Sequence, residues 1–213
     1  MATEELVSTT MGAGRRVALT FDDGPDPRYT PQVLDILAAH GIVATFCLVG
    51  AKAARFPELV PRIAAAGHAL CNHTMTHADL AGLPLEDVRA EIAGASAAIA
   101  TAAPGVPLRY FRAPFGSWTP FVRQAAGELD LQPLDWSVNT CDWTRPGVER
   151  IVSVVRRDLR PGGVILMHDS AADVFDGDSE REQTVAAVAE LVPLLLDRGY
   201  AFDVPALPAD LEP

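Results

Sequence analysis

Short apolar runs alternate with longer amphipathic stretches along most of the chain. The short runs are rich in β-branched and aromatic residues, which is typical of strands. Several are apolar almost throughout, as expected for strands that are covered on both faces of a parallel sheet. They predict seven strands, at residues 17–21, 42–50, 68–72, 109–113, 134–138, 163–168 and 200–204.

The stretches between these strands have the period of amphipathic helices. In the first of them, Thr30 is a candidate N-cap, Pro31 stands at the first helical position and Gly41 lies beyond the end. Pro193 predicts a kink in the last helix. Strand followed by helix, repeated about seven times, predicts a parallel sheet with helices outside it. The later helices are predicted within 56–67, 83–100, 119–129, 147–159 and 183–199.

The positions of polar residues along the chain distinguish between two forms of such a sheet, an open sheet and a barrel. An open sheet gathers mainly the residues beside its switch point, whereas a barrel brings the C-terminal ends of all its strands to one mouth. Here the candidate residues follow the ends of several different predicted strands. The distribution favours an α/β fold with a single distorted (β/α) barrel of about seven parallel strands. The residues are Asp22, Asp23, His73, Arg112, Asn139 and His168.

The bulk composition is that of one globular domain. We predict a domain over 15–205, preceded by a flexible arm over 1–14 and followed by a tail over 206–213. Hydrophobic residues make up 49% of the chain, enough for a sizeable core. The formal net charge of -11 disfavours nucleic acid and anionic membrane as partners, because either would require a basic face. A neutral or cationic small substrate fits better, and the oligomeric state is left open.

The N-terminal segment has neither the basic start nor the apolar stretch of a signal peptide. No run of residues approaches the length of a membrane span. We therefore expect a cytoplasmic protein, or an extracellular one if the chain is a trimmed form of an exported protein. The three cysteines are odd in number and not clustered, so we expect reduced thiols at Cys47, Cys71 and Cys141.

Two pairs of residues carry possible metal chemistry. His73 and His77 are four positions apart, so one helical turn would place both imidazoles on the same side, as two metal ligands require. Asp22 and Asp23 are adjacent, and one could be a third ligand while the other stays free as a base. Two histidines with one carboxylate leave a coordination position open, which is typical of catalytic zinc sites. The alternatives are two exposed histidines and an ordinary Asp-Asp-Gly-Pro turn.

Other residues also have ordinary explanations when each is taken alone. Arg112 could be a surface arginine, Trp136 and Leu166 could be core residues, and His168 a structural histidine. Five separate strand ends nevertheless carry the residue types of a metal-dependent hydrolase. In a fold that brings these strand ends together, a shared catalytic site explains all five segments better than five separate ordinary explanations do.

In order along the chain, these five segments resemble the motifs of polysaccharide deacetylases of carbohydrate esterase family four. The resemblance extends from about residue 15 to residue 204. The family's five motifs TFDDGP, HTxxH, RxPF, DTxDW and LxH are matched at 20–25, 73–77, 112–115, 139–143 and 166–168, the fourth with one departure.

The resemblance implies a distorted (β/α) barrel with a divalent metal, most often zinc, while cobalt, nickel and iron remain possible. It implies that Asp23, His73 and His77 hold this metal. It further implies that Asp22 is the general base, with Arg112 as its positioning partner.

The resemblance also implies that His168 is the general acid. For the substrate, it implies that the backbone N–H of Phe115 is an oxyanion donor and that Trp143 and Leu166 enclose the acetyl methyl group. Asn139 is the departure, because the family usually has an aspartate there that supports the acid histidine. A neutral side chain could orient His168 but could not stabilise its imidazolium by charge.

The implied reaction removes N-acetyl groups from N-acetylglucosamine-containing saccharides of chitooligosaccharide or peptidoglycan type, by attack of a metal-activated water. The implied partner is an acetylated saccharide. Two other hydrolases remain as alternatives: an acetyl xylan esterase and an amide hydrolase acting on a cytosolic natural product. A catalytically dead binding domain on the same fold is a further alternative, although it would require a broken motif.

Overall fold

One curled parallel sheet with helices outside it forms the computed structural model, which describes residues 5–173 and 179–207. The strand order is β5-β4-β3-β2-β1-β7-β6, and the short β8 pairs with the beginning of β1. This arrangement confirms the predicted distorted barrel. The strands are β1 Arg16–Gly24, β2 Thr45–Leu48, β3 Ala69–Asn72, β4 Leu108–Phe111, β5 Gln132–Pro133, β6 Val138–Asn139, β7 Gly163–His168 and β8 Ala201–Phe202.

The single strand predicted over 134–138 is wrong. Two short strands, β5 and β6, stand instead on opposite edges of the sheet. The N–H of Leu134 donates to the carbonyl of Phe111 at 2.8 Å, and that of Ser137 donates to the carbonyl of Val164 at 3.0 Å. The segment therefore crosses from the β4 edge to the β7 edge and helps to close the curl of the sheet.

Helices surround this sheet. Thr119 is the N-cap of one of them, since its side chain accepts the N–H of Val122 at 3.3 Å. Thr30, by contrast, lies inside the first helix; Asp26 Oδ1 accepts the N–H groups of Arg28 and Tyr29 at 2.8 and 2.9 Å. The helices are α1 Tyr29–Ala39, α2 Gly50–Arg55, α3 Leu59–Ala65, α4 Leu85–Ala102, α5 Pro120–Glu128, α6 Val148–Asp158 and α7 Glu182–Asp197, with 3₁₀ turns at Leu80–Gly82, Pro114–Gly116 and Asp142–Thr144.

The helix α2 was not predicted, because the apolar run over 42–50 continues across its boundary. The strand β2 ends at Leu48, and Gly50 begins the helix. A Cβ atom at Gly50 would lie 2.7 Å from both the sulfur of Met75 and the Cα atom of Ala95. Glycine is therefore needed for α2 to pack this closely against α4.

Strand alternation gives β1 two different faces. Val17, Leu19 and Phe21 join the core between sheet and helices, whereas Ala18 joins a second cluster with Cys47, Cys71 and Tyr110. Side chains two residues apart point to the same face of a strand. Asp22 therefore shares the face of Ala18 and Thr20 and is the register partner of His168 on β7. The polar residues thus extend the inner face of the barrel at its C-terminal end.

Part of the predicted N-terminal arm is hydrogen-bonded to the barrel. The N–H of Val7 donates to the carbonyl of Pro133 at 2.9 Å, and the N–H of Thr10 donates to that of Gly162 at 2.8 Å. The cysteines are free thiols, of which only Cys141 is exposed. Within 5–173 and 179–207, the helices are too short or too polar to cross a membrane.

Candidate active site

The guanidinium of Arg112 holds one oxygen of Asp22. Arg112 is fully buried, and its Nη1 donates to Asp22 Oδ1 at 2.6 Å and to the hydroxyl of Thr20 at 2.8 Å. Its Nη2 donates to the carbonyl of Asp135 at 3.2 Å, on the segment that crosses between the sheet edges. The second oxygen of Asp22 lies 3.6 Å from His73 Nε2. Asp22 is thus fixed through Oδ1 while Oδ2 faces the histidines.

Asp23, His73 and His77 form a compact cluster. Asp23 Oδ1 lies 3.2 Å from His77 Nε2 and 3.6 Å from His73 Nε2. His73 Nδ1 lies 2.8 Å from the carbonyl oxygen of Arg112, which can only accept a hydrogen bond. Nδ1 therefore carries a hydrogen, and Nε2 is the ring atom that faces Asp23 and is placed to bind a cation.

The donor set of this cluster fits a divalent cation. Asp23 Oδ1 is buried and has no hydrogen-bond partner among the described residues. The three ligand atoms lie within 4.8 Å of one another, and two imidazoles with a carboxylate are a ligand set found in catalytic zinc sites. The contact from His73 to the Arg112 carbonyl is the kind of support that orients histidine ligands.

The protonation states of Asp23 and His77 also suit metal binding. Burial opposes the charged form of Asp23, but its contact with His73 and the positive charge of His168 hold its pKa well below the usual value. Burial, reinforced by the neighbouring His73, lowers the pKa of His77 to about 4. An ionised carboxylate and neutral imidazoles are the forms that bind metals.

The backbone is strained at the same place. Asp23, His77 and Phe115 have φ values of 73°, 59° and 59°, in the left-handed region that non-glycine residues adopt rarely. Such conformations cost free energy and cluster at functional sites, where the surrounding structure maintains them. Here they direct two candidate ligands and one candidate substrate-binding residue into a common cavity.

His168 is held by Asp142. Its Nδ1 lies 2.8 Å from Asp142 Oδ1, and its backbone N–H donates to Oδ2 at 2.8 Å. The hydroxyl of Thr184 also donates to Oδ2, at 2.7 Å. Burial would lower the pKa of His168, but the charge and hydrogen bond of Asp142 outweigh it and raise the pKa to about 9. His168 therefore stays protonated at neutral pH, with Nε2 as its remaining donor.

The interpretation of Asn139 as the neutral support of His168 is wrong. Its Oδ1 accepts the N–H of Cys141 at 3.0 Å, while its backbone pairs with Leu166 on β7. The chain turns at Cys141, where φ is 52°, and this turn brings the next residue, Asp142, to the imidazole. Asn139 lines the cavity and remains a candidate for substrate binding.

A cavity of about 510 Å³ opens above these residues, within the size range of small-ligand sites. Phe115 and Trp143 stand at it with 69% and 41% of their surface exposed, so both offer aromatic surface to a ligand. The Phe115 ring contacts His77 and the Trp143 ring contacts His168, in each case edge to face. The cavity is lined by all the predicted site residues except the buried Arg112, together with Ala113, Trp136, Ala171, Ala172, Asp173 and Arg181.

Sequence reasoning missed several of these residues. Asp142 stands in segment 139–143, which matches the fourth motif, and it is the only carboxylate there, which was the signal that could have identified it. Ala171 gave no comparable signal. Asp173 and Arg181 belong to the acidic segment 173–182, for which the sequence offers two interpretations, a wall of the substrate groove and, as the default, a solvated loop.

Comparison with known proteins identifies the class of this barrel. The family model for polysaccharide deacetylases matches residues 11–134, more than half of the chain. The chain belongs to the polysaccharide deacetylase family, and this confirms both the resemblance read from the five motifs and the predicted hydrolase class.

Relatives in this family include enzymes and a pseudoenzyme. A chitooligosaccharide deacetylase of Sinorhizobium fredii is 44% identical over 86% of this chain and 87% of its own length. A peptidoglycan-N-acetylglucosamine deacetylase of Bacillus cereus is 38% identical over 87% and 84%. A pseudoenzyme of carbohydrate esterase family four from Bacillus anthracis matches with a TM-score of 0.84 at 25% identity, over 95% of this chain and 68% of that one. The fold therefore occurs with and without enzymatic activity. Whether a member of the family is active must be judged from the side chains of its site.

Proposed function

We propose that this protein is a metal-dependent hydrolase that removes N-acetyl groups from N-acetylglucosamine-containing saccharides of chitooligosaccharide or peptidoglycan type. The observation that carries the proposal is the position of Asp22, whose Oδ2 is 3.6 Å from His73 in the cluster that fits a divalent cation. His168, the register partner of Asp22 on the neighbouring strand, supplies a proton donor. The names of the relatives from Sinorhizobium and Bacillus cereus support the choice of substrate.

Asp23, His73 and His77 would hold the metal, for which zinc is the first candidate. When bound, such a cation acidifies water and polarises the acetyl carbonyl. Asp22 takes the proton of the attacking water on Oδ2, since Arg112 occupies Oδ1. This division explains why two adjacent carboxylates can have different tasks.

His168 donates its Nε2 proton to the leaving nitrogen. Its pKa of about 9 keeps the imidazolium available at neutral pH, and cleavage of an amide requires protonation of the amine. This requirement favours N-deacetylation over the hydrolysis of acetyl xylan. Leu166 and Trp143 enclose the acetyl methyl group, and the backbone N–H of Phe115 stabilises the oxyanion.

Acetate release by the zinc-loaded protein tests the proposal. N-acetylglucosamine oligomers of increasing length are compared with acetylated xylan, and we expect release from the oligomers. Release from xylan alone would replace the amide by an ester as the substrate bond. Release from neither would contradict the proposal and favour a natural-product amide or a binding domain without activity.

A further inference from the structure

The unpredicted helix α2 is hydrogen-bonded to the loops that carry the metal cluster. The N–H of Val49, just before α2, donates to the carbonyl of Gly24, which follows Asp22 and Asp23. The N–H groups of Gly50 and Ala51 donate to the carbonyls of Thr74 and Met75, between His73 and His77. Each of these three bonds is 2.9 Å long. The start of α2 therefore joins the aspartate turn to the histidine loop.

Lys52 extends this connection to a third loop. It is fully buried, and its ammonium donates to the hydroxyl of Ser170 at 2.6 Å and to the carbonyl of Ala171. Both residues follow β7 after one intervening residue, Asp169. We call residues 170–173 the wall segment, because Ala171, Ala172 and Asp173 line the cavity.

Two further buried charged residues hold the same segment. Asp26 Oδ2 accepts the hydroxyl of Ser179 at 2.6 Å and that of Ser170 at 3.4 Å. Arg181 donates through Nε to the carbonyl of Ser170 at 2.8 Å and through Nη1 to that of Ser179 at 3.0 Å. Lys52, Asp26 and Arg181 thus converge on the two serines.

These buried charged groups are better explained by a role in positioning the wall segment than by a contribution to the stability of the fold. Burying charged groups carries a large desolvation cost, and apolar residues of similar shape often stabilise a core as well or better. Charged groups with directional hydrogen bonds do, however, fix main-chain atoms in one place. The atoms that Lys52 fixes are those that set the position of the cavity wall.

We infer that Lys52, together with Asp26 and Arg181, is a positioning residue that holds the wall segment against the bound saccharide and thereby sets its affinity. The inference rests on the proposed function for its substrate. The chemical step is insulated from this network for two reasons. His168 is fixed separately by Asp142, and the bonds from α2 to the metal-cluster loops are made by backbone N–H groups that do not depend on the Lys52 side chain. Loss of Lys52 therefore affects substrate binding more than turnover.

The test compares Lys52→Met with Arg55→Met, a matched loss of an exposed cation from the same helix. In the zinc-loaded Lys52→Met variant, KM for N-acetylglucosamine oligomers should be roughly tenfold higher than in the parent, because a surface that binds the substrate is misplaced. The kcat should stay within about twofold of the parent value. Metal content should be unchanged. Hydrogen exchange should become faster in the peptide that contains 169–173 and stay unchanged in 73–77. Arg55→Met should resemble the parent in all four measurements.

Unchanged KM and unchanged exchange in Lys52→Met would overturn the inference, as would a fall in kcat with KM unchanged. If Lys52→Met does not fold, Ser179→Ala removes one donor to Asp26 and must give faster exchange in 169–173 together with a higher KM. A parent protein that releases no acetate contradicts the proposed function. The exchange comparison then still decides whether Lys52 positions the wall segment.

Discussion

Two aspartate–histidine contacts stand at the same mouth of the barrel, and their histidines have opposite pKa shifts. Asp142 raises the pKa of His168 to about 9 despite burial. Asp23 lies 3.2 Å from His77, yet burial together with His73 lowers the pKa of His77 to about 4. A nearby carboxylate alone therefore does not determine the charge of a histidine.

The difference arises from what else surrounds each ring. His168 has a hydrogen-bonded carboxylate of its own, and the charges of Asp22 and Asp23 add to its effect. His77 shares Asp23 with His73, so one carboxylate serves two imidazoles. A ring with its own carboxylate can donate a proton, whereas two rings that share one are suited to bind a cation.

The largest expected effect separates the two adjacent aspartates. Asp22→Asn should lower turnover about 10²–10⁴-fold, the usual contribution of a general base, while the metal content is retained. Asp23→Asn should lose both activity and metal, because it removes the only carboxylate of the cluster. Acetate release and metal analysis of both variants check this. Metal loss in Asp22→Asn with retention in Asp23→Asn would reverse the two roles.

The next largest effect concerns His168, the proposed general acid, and its partner Asp142. Activity requires protonated His168, so the parent should lose activity as pH rises through about 9. Asp142→Asn keeps the shape of the side chain but removes its negative charge. The pH at which activity is lost on the alkaline side, the alkaline limb, should therefore fall by about one to three units. The pH dependence of kcat/KM measures it. A limb that stays in place would show that another group is the acid.

The fold was predictable to the extent that periodicity reports burial. The inner and outer faces of β1 follow from alternation, and so does the placement of Asp22 on the inner face. The boundary between β2 and α2 did not follow, because an apolar run continues across it. The division of 134–138 between two sheet edges also did not follow, since a single sequence carries no signal of which strand a short segment will join.

The site was predictable where several motifs combined. Asp22, Asp23, His73, His77, Arg112 and His168 were all identified, and the structure brings them together. Asp142 was missed because pairing with His168 depends on the left-handed turn at Cys141, and non-glycine residues give no reliable sequence signal for that conformation. Lys52 was missed for a similar reason, because a lone lysine between alanines usually faces solvent.

A smaller effect is expected on stability in metal-free protein. The pKa of His168 is raised above that of an unfolded chain, so its contribution is present below about pH 6.5 and is lost as pH rises toward 9. The pKa of His77 is lowered, so its contribution is present above about pH 6.5 and is lost as pH falls toward 4.

The two contacts therefore favour maximal stability between these limits. The free energy of unfolding, measured with denaturant between pH 4 and 9 in the presence of a chelator, should pass through a maximum. Asp142→Asn should flatten the alkaline side only. Flattening on the acidic side instead would contradict the assignment of that slope to His77 and to His68, whose pKa burial also lowers to about 4.

The smallest effect is expected at Asn139, and it sharpens the correction made by the structure. His168 Nδ1 is already bonded to Asp142, so Asn139→Asp adds a carboxylate that does not replace this partner. Its Oδ1 can still accept the N–H of Cys141, as in the parent. The alkaline limb of kcat/KM should therefore stay where it is, in contrast to the shift expected in Asp142→Asn. A rise in the limb comparable to the fall in Asp142→Asn would mean that position 139 controls the acid after all.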